Sequence, residues 1–410
     1  SAIASRLSLG KNDTKTLVLC GLSAGLAATF NAPLGGALFG VEVIAGGVLG
    51  FSILPIILSC VIATAVAGTT TQLILGSATN LTFDTPSFMM SNPIELFFFL
   101  ILGIVLGLVS IIWMRGFYFI ENLFEKIRVS KYVLPAIGGI CTGILGILVI
   151  YLEQVFHYSG TFKDQPYFPA IMGDEYPFIN AILVTPDVLM GGVALLGSLF
   201  LFGIIKIIST GTTLGSGGSG GVFAPTLFIG AGLGGALGWI FAFIAPSVVH
   251  PTTAMVFALV GMAALFGGSC RAPITGIIII AEMSADYFLI LPLMISVSSA
   301  YLVSSLYEPE SIYTMKLARR GVHIGRGTHL GILKSITVGE IMTKKPTILK
   351  TDMKTSEVFR IIDSTHHTKF PVVEGENKVV GILIAEDLFQ APKNEDGEEN
   401  HVRDLMNPDF

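Results

Sequence analysis

From Ile207 to Cys270 the chain runs for 64 residues without a Lys, Arg, Asp or Glu, and from Val43 to Phe83 it does so for 41. An ordinary soluble domain carries roughly 25% charged residues and cannot hold such stretches. Leu96–Met114, Tyr132–Leu152 and Tyr287–Tyr307 are uncharged runs of 19, 21 and 21 residues. Each meets the roughly 20-residue length of a membrane-crossing helix. The chain therefore reads as an α-helical polytopic membrane protein. Its mean hydropathy of +0.75 agrees. Charge is concentrated at the end: from Gly325 onwards lie 25 of the 53 charged residues, so a soluble tail succeeds an apolar body. The net charge of −5 offers no basic face for nucleic acid. Cys20, Cys60, Cys141 and Cys270 have no paired spacing and read as buried thiols.

Many apolar segments of the body are short or interrupted by Gly and Pro: Thr16–Phe30, Pro33–Gly50, Phe51–Gly68, Val188–Ile205, Val222–Ile244, Thr253–Gly267 and Pro273–Ala281. Such breaks are tolerated in a membrane where backbone is buried in protein or lines a cavity, and they are common in transporters. A tightly packed bundle with no pathway is the plainer alternative. A self-match favours transport. GLSAGLAATFNAPLGGALFGVE (21–42) aligns with GMAALFGGSCRAPITGIIIIAE (261–282) at a constant offset of 240. Gly21, Ala24, Ala32, Pro33, Gly36 and Glu42 recur as Gly261, Ala264, Ala272, Pro273, Gly276 and Glu282. Repeated halves are a usual transporter construction. The Gly-rich loop before Glu282 has no counterpart before Glu42, so the first half is expected to continue upstream of Ser1. Basic residues in the connection holding Arg115, Lys126, Arg128 and Lys131, and after the last span at Lys316, Arg319 and Arg320, place both on the cytoplasmic side.

The most specific element is LGSGGSGGVFAPTLFIGAGLGG, residues 214–235. Gly217, Gly220 and Gly221 let main-chain N–H groups approach a ligand, and Pro225 fits a first helical turn. The N–H groups of Val222 and Phe223 then stand at a helix N-terminus, which suits an anion. The loop holds no Lys or Arg. Fixed dipoles with no full positive charge beside them would attract an anion yet release it. A packing loop is the alternative, and a phosphate loop lacks its Lys. Glu42 and Glu282 are intramembrane carboxylates, functional candidates by position. Their matching places in the repeat argue equally for a structural part such as capping a helix end.

GSGGSGGVFAP resembles the GxFxP signature of the CLC family of chloride channels and proton-coupled chloride transporters. FNAPLGGALFGVE, RAPITGIIIIAEMSADYFLILP and SIYTMKLARRG also resemble that family, in the right order, over about residues 1–321. The resemblance implies an inverted-repeat bundle of broken helices and a homodimer with one chloride pathway per subunit. It also implies that Val222 and Phe223 donate main-chain N–H groups to a central anion and that the Tyr313 hydroxyl donates to the same ion. Proton-coupled members typically carry a second Glu after the position of Glu42; here it is Val43, which points to a passive channel, voltage- or ligand-gated. A chloride/proton antiporter of the same family is the alternative. The family's GSGIP and GREGP loops are absent from this chain, and SAIASRL resembles the family segment just after GREGP.

The tail reads as α/β. Thr355-Ser356-Glu357 introduces an amphipathic helix, and Lys369–Val373 and Lys378–Ile384 read as strands with a turn between them. A helix is expected near Glu386. VGEIMTKKP recurs as VRDLMNPDF at an offset of 64. The tail resembles a CBS domain, cytoplasmic by the charge bias. The resulting organisation is a body over 1–321, a linker over 322–333 and a CBS domain over 334–410, its first motif at about 334–391 and its second only begun. Such pairs often bind adenine nucleotide. Asp387 matches the position that holds a ribose, but Ile384 stands where a hydroxyl residue is usual, so a dimerising or inert module is favoured. No metal is expected: His366 and His367 have no third ligand and read as a solvated helix end. A cation channel would need carboxylates facing its pathway. An intramembrane enzyme would need a nucleophile and base, for which His157 and His250 are the body's thin supply. No catalytic residue is assigned; chloride, a second copy of the chain and membrane lipid are the expected partners.

Overall fold

The computed structural model describes residues 4, 6, 8–46, 53–76, 83, 88, 90, 92–130, 132–155, 171–173, 175–184, 192–319, 338–365, 367–375, 378–390 and 400–408. The chain divides into two compact units, Ser1–Gly331 and Ile332–Phe410. In the first, the helices are α1 Lys11–Phe30, α2 Pro33–Phe39, α3 Ile53–Leu75, α4 Glu95–Glu125, α5 Leu134–Val155, α6 Tyr176–Val184, α7 Gly192–Gly215, α8 Phe223–Ile244, α9 Pro251–Cys270, α10 Pro273–Ser284, α11 Ile290–Tyr307 and α12 Met315–Arg319. Among the described residues, six helical stretches are long and apolar enough to cross a membrane: Ile53–Ile74, Glu95–Glu125, Leu134–Leu152, Leu196–Gly215, Phe223–Ile244 and Tyr287–Tyr307.

Two helices run past their expected ends. α4 continues from Met114 to Glu125, so Arg115 lies inside a helix, paired with Glu308, and not in a connection. α7 does not stop at Ile205 but passes through Lys206 to Gly215. A charge within an apolar run marks a helix end only where no partner reaches it. Here each charge is accommodated within the helix by a partner from a distant segment.

The breaks between α1 and α2 and between α9 and α10 share one geometry. Asn31 and Arg271 are left-handed, with φ of 50° and 59°. Ala32 and Ala272 come next at φ −130°, and Pro33 and Pro273 open the next helix. The left-handed residue closes the first helix; the proline, lacking an N–H and crowding the preceding turn, forbids continuation. The buried Arg271 guanidinium donates to the carbonyls of Gly268, Ser304 and Glu308 and to the Ser304 hydroxyl. It thereby covers the negative C-terminal ends of α9 and α11.

α8 is the centre of the bundle: in its most apolar window 67% of residues are buried, against 11% for the span in α3. Its small residues admit α9 at backbone distance. A methyl group added at Gly230 would lie 2.6 Å from the Gly261 carbonyl oxygen. Phe178, Phe228, Phe257 and Phe266 fill the same core.

The second unit contains α13 Val338–Ile341, β1 Leu349–Lys350, α14 Thr355–Thr365, β2 Lys369–Glu374, β3 Lys378–Ile384, α15 Ala385–Gln390 and α16 Val402–Leu405. The sheet order is β1-β2-β3. β1 pairs parallel with β2, and β2 pairs antiparallel with β3, with Phe370 opposite Leu383 and a bulge at Val372/Val373. Leu349, Val358, Phe370, Val372, Leu383, Leu388 and Val402 form its core. The repeated sequence gives two one-turn helices, α13 and α16. The start of the second copy is tied to β3 by reciprocal bonds of 2.9 Å between Ile382 and Asn407.

Candidate functional site

The glycine loop begins where α7 ends. Gly217 has φ +89°, a conformation that favours glycine. With it the chain reverses, and the Gly217 and Gly218 N–H groups donate to the Leu214 and Thr213 carbonyls at 3.0 and 2.9 Å. α7 is thus closed before α8 begins. Val222 caps α8, and its carbonyl accepts from the Thr226 N–H at 3.1 Å and from the Thr226 hydroxyl at 2.6 Å. Trp113 Nε1 of α4 donates to that hydroxyl at 3.0 Å, anchoring this helix end from the side. Among the described residues, the N–H groups of Gly220, Gly221, Val222, Phe223 and Ala224 have no acceptor. Five donors at the positive end of a long buried helix can take an anion.

Aromatic rings bring the other expected residue to the same place. The Phe223 ring packs on Phe30 at 4.4 Å, Phe266 at 5.1 Å and Phe39 at 6.2 Å between centroids. Phe39 in turn meets Tyr313 edge to face at 6.0 Å. Val222, Phe223 and Tyr313 therefore share one core, with Phe39 between the two rings. The Tyr313 hydroxyl lies beside the Cys270 thiol.

The turn carrying Tyr313 is held on every side. Ser311 and Thr314 exchange N–H-to-hydroxyl bonds of 2.9 and 3.1 Å, a reciprocal cap for α12. The Ile312 N–H donates to the Ser269 carbonyl at 2.9 Å, and the Tyr118 hydroxyl of α4 donates to the Ile312 carbonyl at 2.6 Å. Lys316 pairs with Glu121, and the Arg319 guanidinium lies 4.7 Å from the centre of the Tyr118 ring. Nothing in the sequence singles out Phe39 and Tyr118. They look like ordinary core aromatics there, and only contacts across hundreds of residues give them a place.

Glu42 and Glu282 cap each other's repeat. The Ile274 and Thr275 N–H groups at the start of α10 donate to the Glu42 carboxylate at 3.2 and 2.7 Å, and the Thr275 hydroxyl adds a bond of 2.7 Å. At the start of α2, the Leu34 and Gly35 N–H groups donate to the Glu282 carboxylate at 3.0 and 2.7 Å. The donors, like the acceptors, are 240 residues apart. Glu42 itself sits in a π-helical turn, Gly40–Ile44.

One expectation is corrected. The sequence suggests a loop with no full positive charge beside it. The structure lines one cavity of about 560 Å³ with Gly220, Gly221, Phe223, Lys206 and Glu175. Lys206 comes from the middle of α7 and Glu175 from just before α6. Lys206 falls in the gap between an apolar segment that ends at Ile205 and an uncharged run that begins at Ile207. A lone ionisable residue inside an apolar run is the signal that marks it.

Elsewhere, Asp387 is exposed on the first turn of α15. The tail's cavity of about 510 Å³ is lined by Lys350, Asp352, Lys354 and Glu357 and does not include Asp387. His367 packs edge-on to Phe370, and His157 and His366 lie outside the described residues. Among the described residues, no cluster of three or more His, Cys, Asp or Glu has the arrangement to hold a metal ion.

The chain is similar to known proteins in sequence and in fold. A family model described as voltage gated chloride channel matches residues 1–305, and one described as CBS domain matches residues 338–394. The H(+)/Cl(-) exchange transporter ClcA of Vibrio parahaemolyticus is 31% identical over 313 residues, which cover 75% of this chain and 60% of that protein. The voltage-gated ClC-type chloride channel ClcB of Salmonella typhimurium is 28% identical over 308 residues, covering 75% of this chain and 66% of that protein. The chain thus spans 60 to 66% of the length of these relatives. The crystal structure of a slow cyanobacterial Cl-/H+ antiporter superposes with a TM-score of 0.55 at 22% identity, over 77% of this chain and 67% of that one. At that identity the likeness establishes the fold.

Proposed function

Since the chain belongs to the voltage gated chloride channel family and carries a CBS domain, we propose that it passes chloride or a similar small anion selectively across a membrane. The observation that carries this reading is the open N-terminus of α8: five N–H groups without acceptors among the described residues, at the end of the most buried membrane helix, in a shared core with Tyr313. Peptide dipoles and a phenol hydroxyl hold an anion through partial charges, and the Lys206 ammonium group in the same cavity is paired with Glu175, which suits passage more than storage. Val222 and Phe223 offer the amides and Tyr313 the hydroxyl. Gly217, Gly220, Gly221 and Pro225 shape the loop.

Passive, channel-like passage is the finer reading, because the side chain after Glu42 is Val43 and valine carries no proton. Exchange of chloride for protons is the second reading, favoured by the likeness to a protein named as an exchange transporter. Voltage clamp on reconstituted bilayers separates all of these. The reversal potential is expected to track the chloride gradient, to ignore replacement of potassium by a large organic cation, and to stay put when a pH gradient is imposed. A shift with potassium overturns anion selectivity; a shift with pH replaces the channel reading by exchange.

Tyr313→Phe removes one neutral donor. It is expected to weaken chloride binding about three- to tenfold, the worth of a net hydrogen bond, read by calorimetric titration of the purified protein. Unchanged affinity would remove Tyr313 from the site. The assembly we propose is a homodimer with one pathway per subunit, its cytoplasmic tails serving association or regulation; Asp387 is the residue a nucleotide ribose would reach.

A further inference from the structure

The Val222 carbonyl and the Phe223 N–H are the two ends of one peptide group. That carbonyl takes two donors, the Thr226 N–H at 3.1 Å and the Thr226 hydroxyl at 2.6 Å. The hydroxyl in turn accepts from Trp113 Nε1 of α4 at 3.0 Å. Trp113 and Thr226 are both completely buried. An indole N–H can only donate, and a hydroxyl has a single proton to give. Trp113 therefore fixes the direction of the Thr226 O–H, which must point at the Val222 carbonyl. The result is a one-way chain from the Trp113 N–H to the Thr226 O–H to the Val222 carbonyl, and across the peptide to the Phe223 N–H. Among the described residues that last donor has no acceptor.

Hydrogen bonds in a chain polarise one another, the more so in a low-dielectric interior. A donor on a carbonyl draws density through the conjugated amide and leaves its N–H more positive. A helical carbonyl ordinarily takes one backbone donor. The Val222 carbonyl takes a second, itself polarised by Trp113. Helix stability does not call for it, since a threonine bonded back to the fourth preceding carbonyl slightly weakens a helix. We propose that Trp113 and Thr226 are positioning residues for the anion: they strengthen the Phe223 N–H as a donor and set the affinity of the α8 end above what its backbone alone supplies. The inference rests on the anion-permeation reading and deepens it, by naming two side chains that act on the ion through a peptide group. α4 then serves both halves of the site, through Trp113 at the Phe223 amide and through Tyr118 at the turn carrying Tyr313.

The test is calorimetric titration of sodium chloride into the full chain purified in detergent, at constant ionic strength with isethionate. Thr226→Val keeps the shape and removes the hydroxyl; Thr226→Ser keeps the hydroxyl and removes the methyl. Thr226→Val is expected to weaken chloride binding about twofold, the effect of roughly 10–30% strengthening per bond on a hydrogen bond to a charged group. Thr226→Ser is expected to bind as the unaltered protein does. Trp113→Phe is expected to weaken binding by less, and to add nothing in the Thr226→Val background. A packing role predicts the reverse: Thr226→Ser weakens binding, Thr226→Val does not, and Trp113→Phe costs the same in either background. Any of those results overturns the proposal. Should Thr226→Val fail to fold with the Trp113 N–H unpaired, the double variant decides alone: the same loss supports the chain, and unchanged affinity rules it out. A second readout needs no chloride. In protein labelled with 13C-carbonyl valine and 15N-phenylalanine, only peptides joining Val to Phe give an amide signal, and the one lost in Phe223→Leu belongs to Phe223. Its proton is expected to move upfield in Thr226→Val and to stay in place in Thr226→Ser; an unmoved signal in Thr226→Val overturns the proposal. A protein that shows the shift and the loss of affinity yet passes no anion in bilayers loses the proposed function and keeps the chain. One that passes anions and shows neither keeps the function and loses the chain.

Discussion

Gly261→Ala is expected to destabilise the body strongly, whereas Gly21→Ala, at the matching position of the first repeat, is expected to stabilise it slightly. The two glycines are equivalent in sequence and opposite in packing. A methyl group at Gly261 would sit 2.5 Å from the Gly230 carbonyl oxygen and 2.8 Å from Gly234 Cα. Both obstacles are backbone of α8, so no side chain can swing aside, and the two helices must separate along their contact. Overpacking of a close-packed core costs about 1–3 kcal/mol even where side chains can adjust; rigid backbone puts this substitution at about 3 kcal/mol or more. At Gly21 the added methyl meets nothing within 4 Å. The gain there is helix propensity, about 1 kcal/mol. Thermal melting of the two purified variants checks the pair. Melting points that shift in the same direction would mean that α8 and α9 do not approach as closely as described.

The contrast between these glycines marks what is legible in the sequence. The offset of 240, the proline-opened helices and the Gly-rich loop are local patterns with one backbone solution, and each appears at its expected place. The tail strands are similar: alternation and a turn fix Lys369–Glu374 against Lys378–Ile384. Which glycine is jammed and which is open depends on the partner helix, and that is not written locally. The same holds for Lys206. Its partners, Glu175 and Ile171, lie across a connection that local patterns do not bridge. Tyr118 is farther still from its acceptor at Ile312. Taking charge as punctuation between apolar segments is a sound rule for lipid-facing helices and a poor one for helices that bury a charge against protein.

Replacing Glu42 by Ala is expected to cost about 2–6 kcal/mol, since it strands the Ile274 and Thr275 N–H groups at about 1–3 kcal/mol each. In a lipid environment no water takes over those bonds. Glu282→Ala strands the Leu34 and Gly35 N–H groups and is expected to cost somewhat less, because Gly35 has no hydroxyl to match the bond from Thr275. Glu→Gln at either position should fall between: the amide keeps one oxygen acceptor but turns an NH2 towards an N–H. Melting temperatures of the four single variants in detergent give the order directly. The outcome decides between two uses of these carboxylates. A proton carrier must be able to leave its donors, so Glu42→Gln would alter flux under a pH gradient and leave the melting point unchanged. A cap is fixed by the positive end of the helix it closes, so Glu42→Gln would lower the melting point while the folded fraction still conducts. The two N–H bonds to each carboxylate, repeated about the 240-residue offset, support the cap: each half of the body closes the open helix of the other, so neither repeat is complete without its partner.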